Sequence, residues 1–515
     1  MRFRLASKVL SSAFMSATEA ATATIPSPVN KKLNLALKGL NDRRGSDVLL
    51  LTFLLTVVSS LSLRPAVARD SDLWWHLRAG SWIAAHHAVP WHDTFGRYTL
   101  GRTWLDYTWL FDLLVSRTYH AGSLLGILVF TDIMLLLCVT CAFRLLSERL
   151  PHGHTVALSA LYLFAIVPLG TPRPWLFSIL AVTIELWILL RAQEYGRPYL
   201  LLWLLPLFTL WANLHVQFVY GLGLLFLFAL TASLPSGWVT GERESGTLPA
   251  AFWWVSLTGA GLSTLINPYG WRVYEVVWEY ASQKAAVNLI QEMQALSFRN
   301  LTDWAALALF CLALGSLAWS RKKSALLWSF LVAGAWFGFH AERDVWFLAI
   351  LSAVVVAESL KGIGDHTPLS GSQIGFSLLL TGFIYAAQLH WGVTSAASLQ
   401  KEMDQSFPTK ASSYIDEHRM PDPIFNPYDW GGYLMWRFPQ RLVSIDGRAQ
   451  LYGDKDLAST FSTLNGGQDW QKDPALVQAR TIVVQRPSPL ASLLRLDPRY
   501  RMVYEDDLAL LFERR

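Results

Sequence analysis

Two aspartates, Asp70 and Asp72, follow the first long apolar run of the chain, which extends from Val48 to Leu63. An Asp-x-Asp pair beside a membrane is costly to keep dry, and carboxylate oxygens suit a divalent cation or a proton. Either acid could be the base that removes a proton from an attacking group, or a ligand to Mg²⁺ or Mn²⁺. The structural alternative is that both acids cap a helix beginning at Leu73.

His76 and Arg78 lie on the same segment as this acidic pair. On a helix, His76 shares a face with Asp72, so its imidazole could bind the same ion or hydrogen-bond the acid. We therefore predict Asp70, Asp72 and His76 as metal ligands, and His76 and Arg78 as substrate-binding residues. The alternatives are a histidine at the membrane interface and an arginine that meets lipid headgroups.

Two arginines stand on short turns where positive charge is otherwise scarce. Arg173 lies between two prolines, and Arg343 lies between Glu342 and Asp344. Because a guanidinium binds phosphate in bidentate fashion, we predict both arginines as substrate-binding residues. The alternatives are a snorkelling Arg173 and a local salt bridge for Arg343. His215, at the end of an apolar run, is predicted as a further substrate contact, with a satisfied interfacial role as its alternative.

The elements that position these residues are those of a membrane protein. The sequence is 53% hydrophobic and 16% charged, whereas soluble domains contain about 25% charged residues. The 24 tryptophans favour membrane interfaces. The net charge of +5 is modest and resides largely in the N-terminal arm and short loops, which indicates a topology signal rather than nucleic-acid binding. The three cysteines fall in apolar runs, and we expect no disulfides.

Apolar runs long enough to cross a bilayer recur along the chain. They predict eleven spans, near 48–66, 124–143, 155–171, 174–190, 199–214, 216–234, 251–267, 303–319, 325–340, 345–360 and 373–391. Lys and Arg are concentrated in the N-terminal arm and in alternate short loops, so the N-terminus is predicted inside and the C-terminus outside. The long segments 64–123, 268–302 and 392–515 then share the outer side.

The sequence therefore predicts three parts: a disordered cytoplasmic arm (1–46), a transmembrane domain (47–392) and an extracytoplasmic α/β domain (393–515). In the first outer loop, residues 73–83 have the spacing of an amphipathic helix at the interface, and 104–112 form a second such segment. In the tail, short apolar runs predict strands at 442–446, 481–485 and 508–512. Glycines beside Asp429, Asp446 and Arg448 favour turns.

Three motifs carry a resemblance to a known superfamily: DSDLWWHLRAG at 70–80, DWGGY at 429–433 and DGR at 446–448. With the topology, they resemble bacterial polytopic membrane proteins placed near the C-type glycosyltransferases (GT-C). Members of that superfamily take a sugar from a polyprenyl-phosphate carrier, use a first-loop acid as base or metal ligand, and in many cases need a divalent cation. The signatures of its oligosaccharyltransferases and mannosyltransferases are not evident in this sequence.

The resemblance implies a mainly α, GT-C-like, inverting glycosyltransferase. It implies a multi-pass protein of the cell inner (plasma) membrane, with its C-terminal domain in the periplasm. The implied partners are a polyprenyl-phosphate sugar donor, the lipid bilayer and a glycan, lipid or protein acceptor, without nucleic acid. The implied cofactor is Mg²⁺ or Mn²⁺.

Two other classes of function remain open on the sequence. A polysaccharide polymerase or ligase also joins lipid-linked sugars outside the cell, but it depends chiefly on basic residues in a large outer loop, so the Asp-x-Asp pair favours a transferase. A transporter or an envelope scaffold is the non-enzymatic alternative. The sequence has no evident internal repeat and no matching pair of Gly/Pro-broken spans, which are typical of transporters.

Overall fold

The computed structural model describes residues 43–63, 65–234, 248–320, 324–363 and 368–515. The predicted disordered arm lies almost wholly outside the described residues. Residues 235–247 and 321–323, which belong to two of the short loops between predicted spans, also lie outside the described residues.

The first fourteen helices extend to residue 390. In chain order they are α1 (Arg43–Ser62), α2 (Leu73–His86), α3 (Trp109–Ser147), α4 (His152–Ile166), α5 (Trp175–Tyr195), α6 (Leu204–Ala212), α7 (Phe218–Ser233), α8 (Ala250–Ser263), α9 (Val273–Ser282), α10 (Lys284–Leu289), α11 (Leu301–Trp319), α12 (Ala325–His340), α13 (Val345–Ser359) and α14 (Gly371–His390). Apart from α2, α9 and α10, each overlaps one predicted span. The apolar runs therefore form helices, as the absence of backbone hydrogen-bond partners in lipid requires.

Within the described residues, five helices are long and apolar enough to cross a membrane: Trp109–Ser147, His152–Leu169, Trp175–Tyr195, Leu301–Trp319 and Gly371–His390. Four shorter apolar helices accompany them, at Gly45–Leu61, Pro198–Ala212, Phe218–Ser233 and Ala325–His340. The chain is thus a helical membrane protein. The count of eleven spans and their orientation stay predictions.

The tail contains short helices and one sheet. Its elements are α15 (Ala396–Ser406), α16 (Thr409–Glu417), β1 (Ile424–Phe425), α17 (Tyr428–Arg437), α18 (Ala449–Leu464), α19 (Pro474–Gln478), β2 (Thr481–Gln485), α20 (Pro489–Leu496), β3 (Tyr500–Glu505) and β4 (Ala509–Arg514). The strand order is β1-β2-β4-β3. Strands β1 and β2 are parallel, and the other two pairs are antiparallel, with Val483 opposite Leu511. The strands predicted at 481–485 and 508–512 correspond to β2 and β4.

The strand predicted at 442–446 does not join this sheet. The backbone of Val443 pairs instead with the first outer loop: its N–H donates to the carbonyl of Phe95 (3.2 Å), and its carbonyl accepts from the N–H of Arg97 (2.8 Å). Ser444 N–H donates to the side-chain oxygen of Asn426 (2.9 Å). The extended segment thus satisfies its backbone groups on residues far away in the sequence, which its own pattern could not indicate.

Helix α2 forms where the amphipathic spacing predicts it, but protein covers most of it. Helix α3 packs along one side and α17 along another. The buried ring of Trp74 makes edge contacts with Phe407 and Tyr433, at centroid distances of 5.5 and 5.4 Å. The first outer loop and the tail therefore share one apolar core. The division into domains at residue 393 stays a prediction.

Helix α3 is longer than the predicted second span because two helices join across a kink. At the kink, Ser123 has a left-handed φ of 51°. The part after the kink matches the predicted span at 124–143. The part before it starts at Trp109, inside the segment predicted as the second amphipathic stretch, and brings Asp112 against α2.

Candidate active site

A cavity of about 370 Å³ lies between the ends of several helices and the tail. Its lining comes from segments that the predicted topology places on one side of the membrane: 71–76, Tyr107, 173–175, 215–217, Tyr280, 290–293, 342–343, 428–429, Gly447 and Ala449. Of the predicted site residues, it brings together Asp72, His76, Arg173, His215 and Arg343. Residues distant in the sequence thus form one polar chamber.

Arg173 lies at the centre of the charged residues. Its Nε donates to Oδ2 of Asp70 (2.8 Å). Its Nη1 lies 2.7 Å from Oδ2 of Asp72 and 2.8 Å from Oε2 of Glu292. The guanidinium also lies over the ring of Trp175, 4.9 Å from its centroid. Only 13% of the side chain is exposed, so Arg173 does not snorkel to water but bridges three carboxylates.

The side chains of Asp70 and Asp72 have different hydrogen-bond partners at the start of α2. Oδ1 of Asp70 accepts the backbone N–H groups of Asp72 (2.9 Å) and Leu73 (3.2 Å) at the start of α2. Asp72 occupies the N-cap position itself but makes no side-chain capping bond. The capping alternative therefore applies to Asp70, and the carboxylate of Asp72 is left to face Arg173 and the cavity.

Burial raises the pKa of Asp72 to about 7, although the neighbouring Arg173 guanidinium acts to lower it. Glu292 and Asp70 add to the rise by repulsion between like charges. A carboxyl group with a pKa near neutrality can both accept and return a proton at physiological pH. Asp72 has the chemistry of a general base.

The pKa values of the two histidines of the cavity are both lowered. Burial, followed by the charge of Arg173, lowers the pKa of His76 well below its usual value. Burial and Arg343 lower the pKa of His215 to about 3. His76 Nδ1 lies 2.6 Å from Oδ1 of Asp112, and His215 Nδ1 lies 2.8 Å from Oγ of Ser178. Each ring is held by one nitrogen, and both residues line the chamber.

Arg343 also lines the cavity. Its buried Nε has no hydrogen-bond partner among the described residues. The carboxylate of Asp344 accepts hydrogen bonds from Gln217 Nε2 (2.7 Å) and Tyr220 Oη (2.8 Å) instead. The guanidinium of Arg343 lies 5.4 Å from the ring centroid of Tyr280. An arginine with an unused donor at a cavity wall is suited to bind an anion.

Arg78 does not reach the cavity. Its Nη2 donates to the carbonyl of Pro439 (2.9 Å), and its guanidinium lies 5.1 Å from the ring centroid of Phe95. It joins α2 to the tail, which is a different arrangement from the predicted substrate contact. Its role as a substrate-binding residue stays a prediction that no contact of the described structure supports.

The tail closes the chamber opposite the membrane helices. Tyr428 and Asp429 line it from α17, and Gly447 lies directly against Asp72. A Cβ added at Gly447 would overlap Oδ1 of Asp72, so only glycine allows this approach. Tyr428 Oη donates to the carbonyl of Gly447 (3.1 Å). Gly447 thus permits close packing against Asp72 rather than merely turning the chain.

Arg448, next to this glycine, is completely buried. Its Nη1 lies 2.7 Å from Oδ1 of Asp93, and its Nη2 lies 2.7 Å from Oδ2 of Asp446. The guanidinium stacks over Trp104, 4.5 Å from the ring centroid. This charged cluster links the first outer loop to the tail beneath the cavity.

A second cavity of about 190 Å³ lies on the other side of Arg173. It shares five residues with the first cavity: Arg173, Trp175, Glu292, Glu342 and Arg343. The rest of its wall combines apolar residues (Ala165, Pro168, Leu169, Leu296 and Val345) with polar ones (Asp70, Thr171, Thr302 and Asp303). Asp70 faces this second cavity. The five shared side chains, four of which are charged, separate the two cavities.

Three residues of the cavity wall, Glu292, Tyr107 and Tyr280, were not predicted from the sequence. Glu292 is one of three glutamates in the predicted outer segment 268–302 and lies in no recognisable motif. Only the predicted position of this segment on the outer side placed it near Asp72. Tyr107 and Tyr280 share a hydrogen bond (Oη to Oη, 2.7 Å) at the cavity wall, and nothing in their spacing indicated that contact.

The predicted metal ligands do not form a metal site in the described residues. No group of three or more His, Cys, Asp or Glu side chains there is arranged to hold an ion. Asp70 and Asp72 face Arg173, and His76 faces Asp112. The donors therefore do not fit a cation as they are placed, and the divalent cation stays a prediction.

No family profile matches the sequence, and the curated proteins contain no match to it. Among solved structures, the chain is similar to the apo oligosaccharyltransferase of Archaeoglobus fulgidus, with a TM-score of 0.50 and 13% identity over 85% of this chain and 69% of that one. The same enzyme in complex with Zn and sulfate gives a TM-score of 0.47 and 14% identity over 84% and 68% of the two chains. The first likeness shows that the chain has a fold like that of this oligosaccharyltransferase.

Proposed function

We propose that this protein is a membrane glycosyltransferase that moves a sugar from a polyprenyl-phosphate-linked donor to an acceptor on the outer face of the membrane. The observation that carries the proposal is the chamber in which Asp72, with a pKa of about 7, faces Arg173 and lies in the same cavity as Arg343 with its unused Nε. The oligosaccharyltransferase-like fold is consistent with it.

The proposed transfer reaction uses two of these side chains, Asp72 and Arg343. Asp72 takes the proton of the acceptor hydroxyl or amide as that atom bonds to the anomeric carbon of the sugar. The bond from the anomeric carbon to the phosphate oxygen breaks in the same displacement, which inverts the configuration. Negative charge grows on the departing phosphate, where the guanidinium of Arg343 stabilises it.

The second cavity supports the choice of a lipid-linked donor. It meets the first at Arg173 and Arg343, and one part of its wall is apolar, formed by Ala165, Pro168, Leu169, Leu296 and Val345. An isoprenoid chain entering from the bilayer can contact such a wall while its phosphate reaches the arginines. The acceptor would then occupy the larger chamber, beside Asp72, Tyr428 and Asp429.

Binding of a polyprenyl phosphate, the lipid carrier without its sugar, tests whether the protein recognises the donor. We expect a short-chain polyprenyl phosphate to bind the purified full chain in nanodiscs. Arg343→Ala should weaken this binding about tenfold to hundredfold, because a charge-assisted contact contributes roughly 1.5–3 kcal/mol. Arg343→Lys should recover only part of the loss, because an ammonium lacks the planar fork.

Arg272→Ala is the matched control, because Arg272 lies on an outer segment but pairs locally with Glu275 (3.1 Å). Equal affinity of the wild type and Arg343→Ala would refute the donor assignment. For the reaction itself, wild-type protein given polyprenyl-phosphate-linked sugars should release free polyprenyl phosphate. Failure to release it with any donor and acceptor fraction would favour the polymerase, ligase, transporter or scaffold alternatives.

A further inference from the structure

The positive charge at the centre of the chamber belongs to a side chain. Three carboxylates converge on the guanidinium of Arg173, each with one oxygen 2.7–2.8 Å from a guanidinium nitrogen. Asp70 and Asp72 come from the first outer loop, whereas Glu292 comes from a segment more than two hundred residues later. Such convergence of acids from separate parts of a chain is what a hard divalent cation requires of its ligands.

The turn that carries Arg173 holds it firmly. Prolines on both sides restrict the backbone, and the N–H of Arg173 donates to the carbonyl of Thr171 (2.7 Å). The side chain is stacked over Trp175 and almost fully covered. The guanidinium is therefore held in a fixed position in the wall of the chamber and is not a mobile surface group.

A divalent cation has no place among these carboxylates while the guanidinium is present. Mg²⁺ takes oxygen ligands at about 2.0–2.1 Å, so it would need the space that the Arg173 nitrogens occupy. If it lay alongside, it would meet the full positive charge of Arg173 at short range in a partly buried site, where repulsion is strong.

We propose that Arg173 supplies the charge that a divalent cation would otherwise supply, so that the site binds no Mg²⁺ or Mn²⁺ in the wild-type protein. A neutral side chain at position 173 would leave the carboxylates of Asp70, Asp72 and Glu292 without their cation, and small movements of these side chains would then let them bind the ion together. The consequence for catalysis rests on the proposed function; the consequence for binding does not.

The test is a titration of the full chain in nanodiscs with Mn²⁺, read from the loss of the free-ion EPR signal. We expect no saturable site in the wild type. Arg173→Ala, and Arg173→Gln as a second neutral variant, should gain one site, with an affinity tighter than that of the wild type by about tenfold or more, since removing the charge removes the repulsion. Arg173→Lys should gain none, because it keeps the charge.

Arg343→Ala is the matched control: it removes an arginine from the same cavity without freeing a carboxylate, and we expect no gain of Mn²⁺ binding. Adding Asp72→Asn or Glu292→Gln to Arg173→Ala should abolish the gained site. Saturable Mn²⁺ binding by the wild type that Glu292→Gln abolishes would overturn the inference. So would a folded, monodisperse Arg173→Ala or Arg173→Gln that binds no Mn²⁺.

The proposed transferase activity and the proposed replacement of a divalent cation by Arg173 can be refuted independently of each other. If the wild type binds no Mn²⁺ and transfers no sugar from any donor, the proposed function fails and the charge replacement stands. If transfer occurs and EDTA abolishes it, the inference fails and the proposed function stands. Transfer that is unchanged in EDTA supports both.

Discussion

At Asp72, burial and a neighbouring arginine act on the same carboxyl group in opposite directions. Burial is the larger effect and raises the pKa of Asp72 to about 7. Because Asp70 makes the capping bonds of α2, Asp72 has no structural duty at the helix start. A base of this kind is useful only when it is deprotonated, which gives a definite pH dependence.

The rate of transfer should therefore rise with pH up to about 7 and then level off. Below the raised pKa of Asp72 the carboxyl holds a proton and cannot accept another, so kcat/KM should fall about tenfold per pH unit. Asp72→Asn should remove transfer at every pH, although the amide keeps the shape of the side chain. The measurement is a pH profile of kcat/KM for the wild type and the variant in nanodiscs.

Asp507→Asn is the control, because Asp507 is fully exposed at the far side of the tail and should leave the profile unchanged. Normal turnover by a folded Asp72→Asn protein would exclude Asp72 as the base. A profile without an inflection between about pH 6 and 8 would mean that another group limits the reaction.

At the scale of elements, the turn between Asp446 and α18 sets the position of the Asp72 carboxylate. Gly447→Ala should displace that carboxylate, because the added Cβ would overlap Oδ1. A displacement of about 1 Å can cost about 100-fold in rate, so we expect a loss of kcat of this order with the thermal unfolding midpoint little changed.

Gly375→Ala provides the matched comparison. Gly375 lies within α14, and a Cβ added there meets no heavy atom within 4 Å. We expect full activity and equal or slightly higher stability, since alanine favours helix. Equal activity of Gly447→Ala and the wild type would show that this turn does not position the base.

The sequence predicted elements well where local pattern determines them. Apolar length located the membrane helices, and the spacing of Leu73, Trp74 and Leu77 located α2. Local pattern failed where distant residues supply the partner. Val443 pairs with the first outer loop rather than the tail sheet, and Glu292 becomes part of the chamber only because Arg173 reaches it. The pairing of His76 with Asp112 was equally invisible in the sequence.

At the scale of the whole molecule, Arg448 joins two parts of the chain that the sequence treats as separate. It is buried between Asp93 of the first outer loop and Asp446 of the tail. Arg448→Ala leaves both carboxylates without their cation, and breaking a buried pair in this way costs about 3–5 kcal/mol. We expect a large drop in the thermal unfolding midpoint in detergent and faster proteolysis at the junction with the tail.

Arg102→Ala is the comparison for this prediction. Arg102 joins the same two parts through Asp456 at 3.2 Å, but both side chains are largely exposed. Exposed pairs contribute little, so its unfolding midpoint should stay near that of the wild type. Equal midpoints for Arg448→Ala and Arg102→Ala would show that the buried cluster does not hold the tail in place.

The contact between Asp93 and Arg448 spans 355 residues of chain. At synthesis rates of 5–20 residues per second, Asp93 is made roughly 20–70 s before its partner exists. During that interval the first outer loop lacks both Arg448, the buried partner of Asp93, and Gly447, which packs against Asp72. The nascent protein therefore passes through membrane insertion with an open, incomplete chamber, and its chemistry becomes available only when the last part of the chain has been delivered.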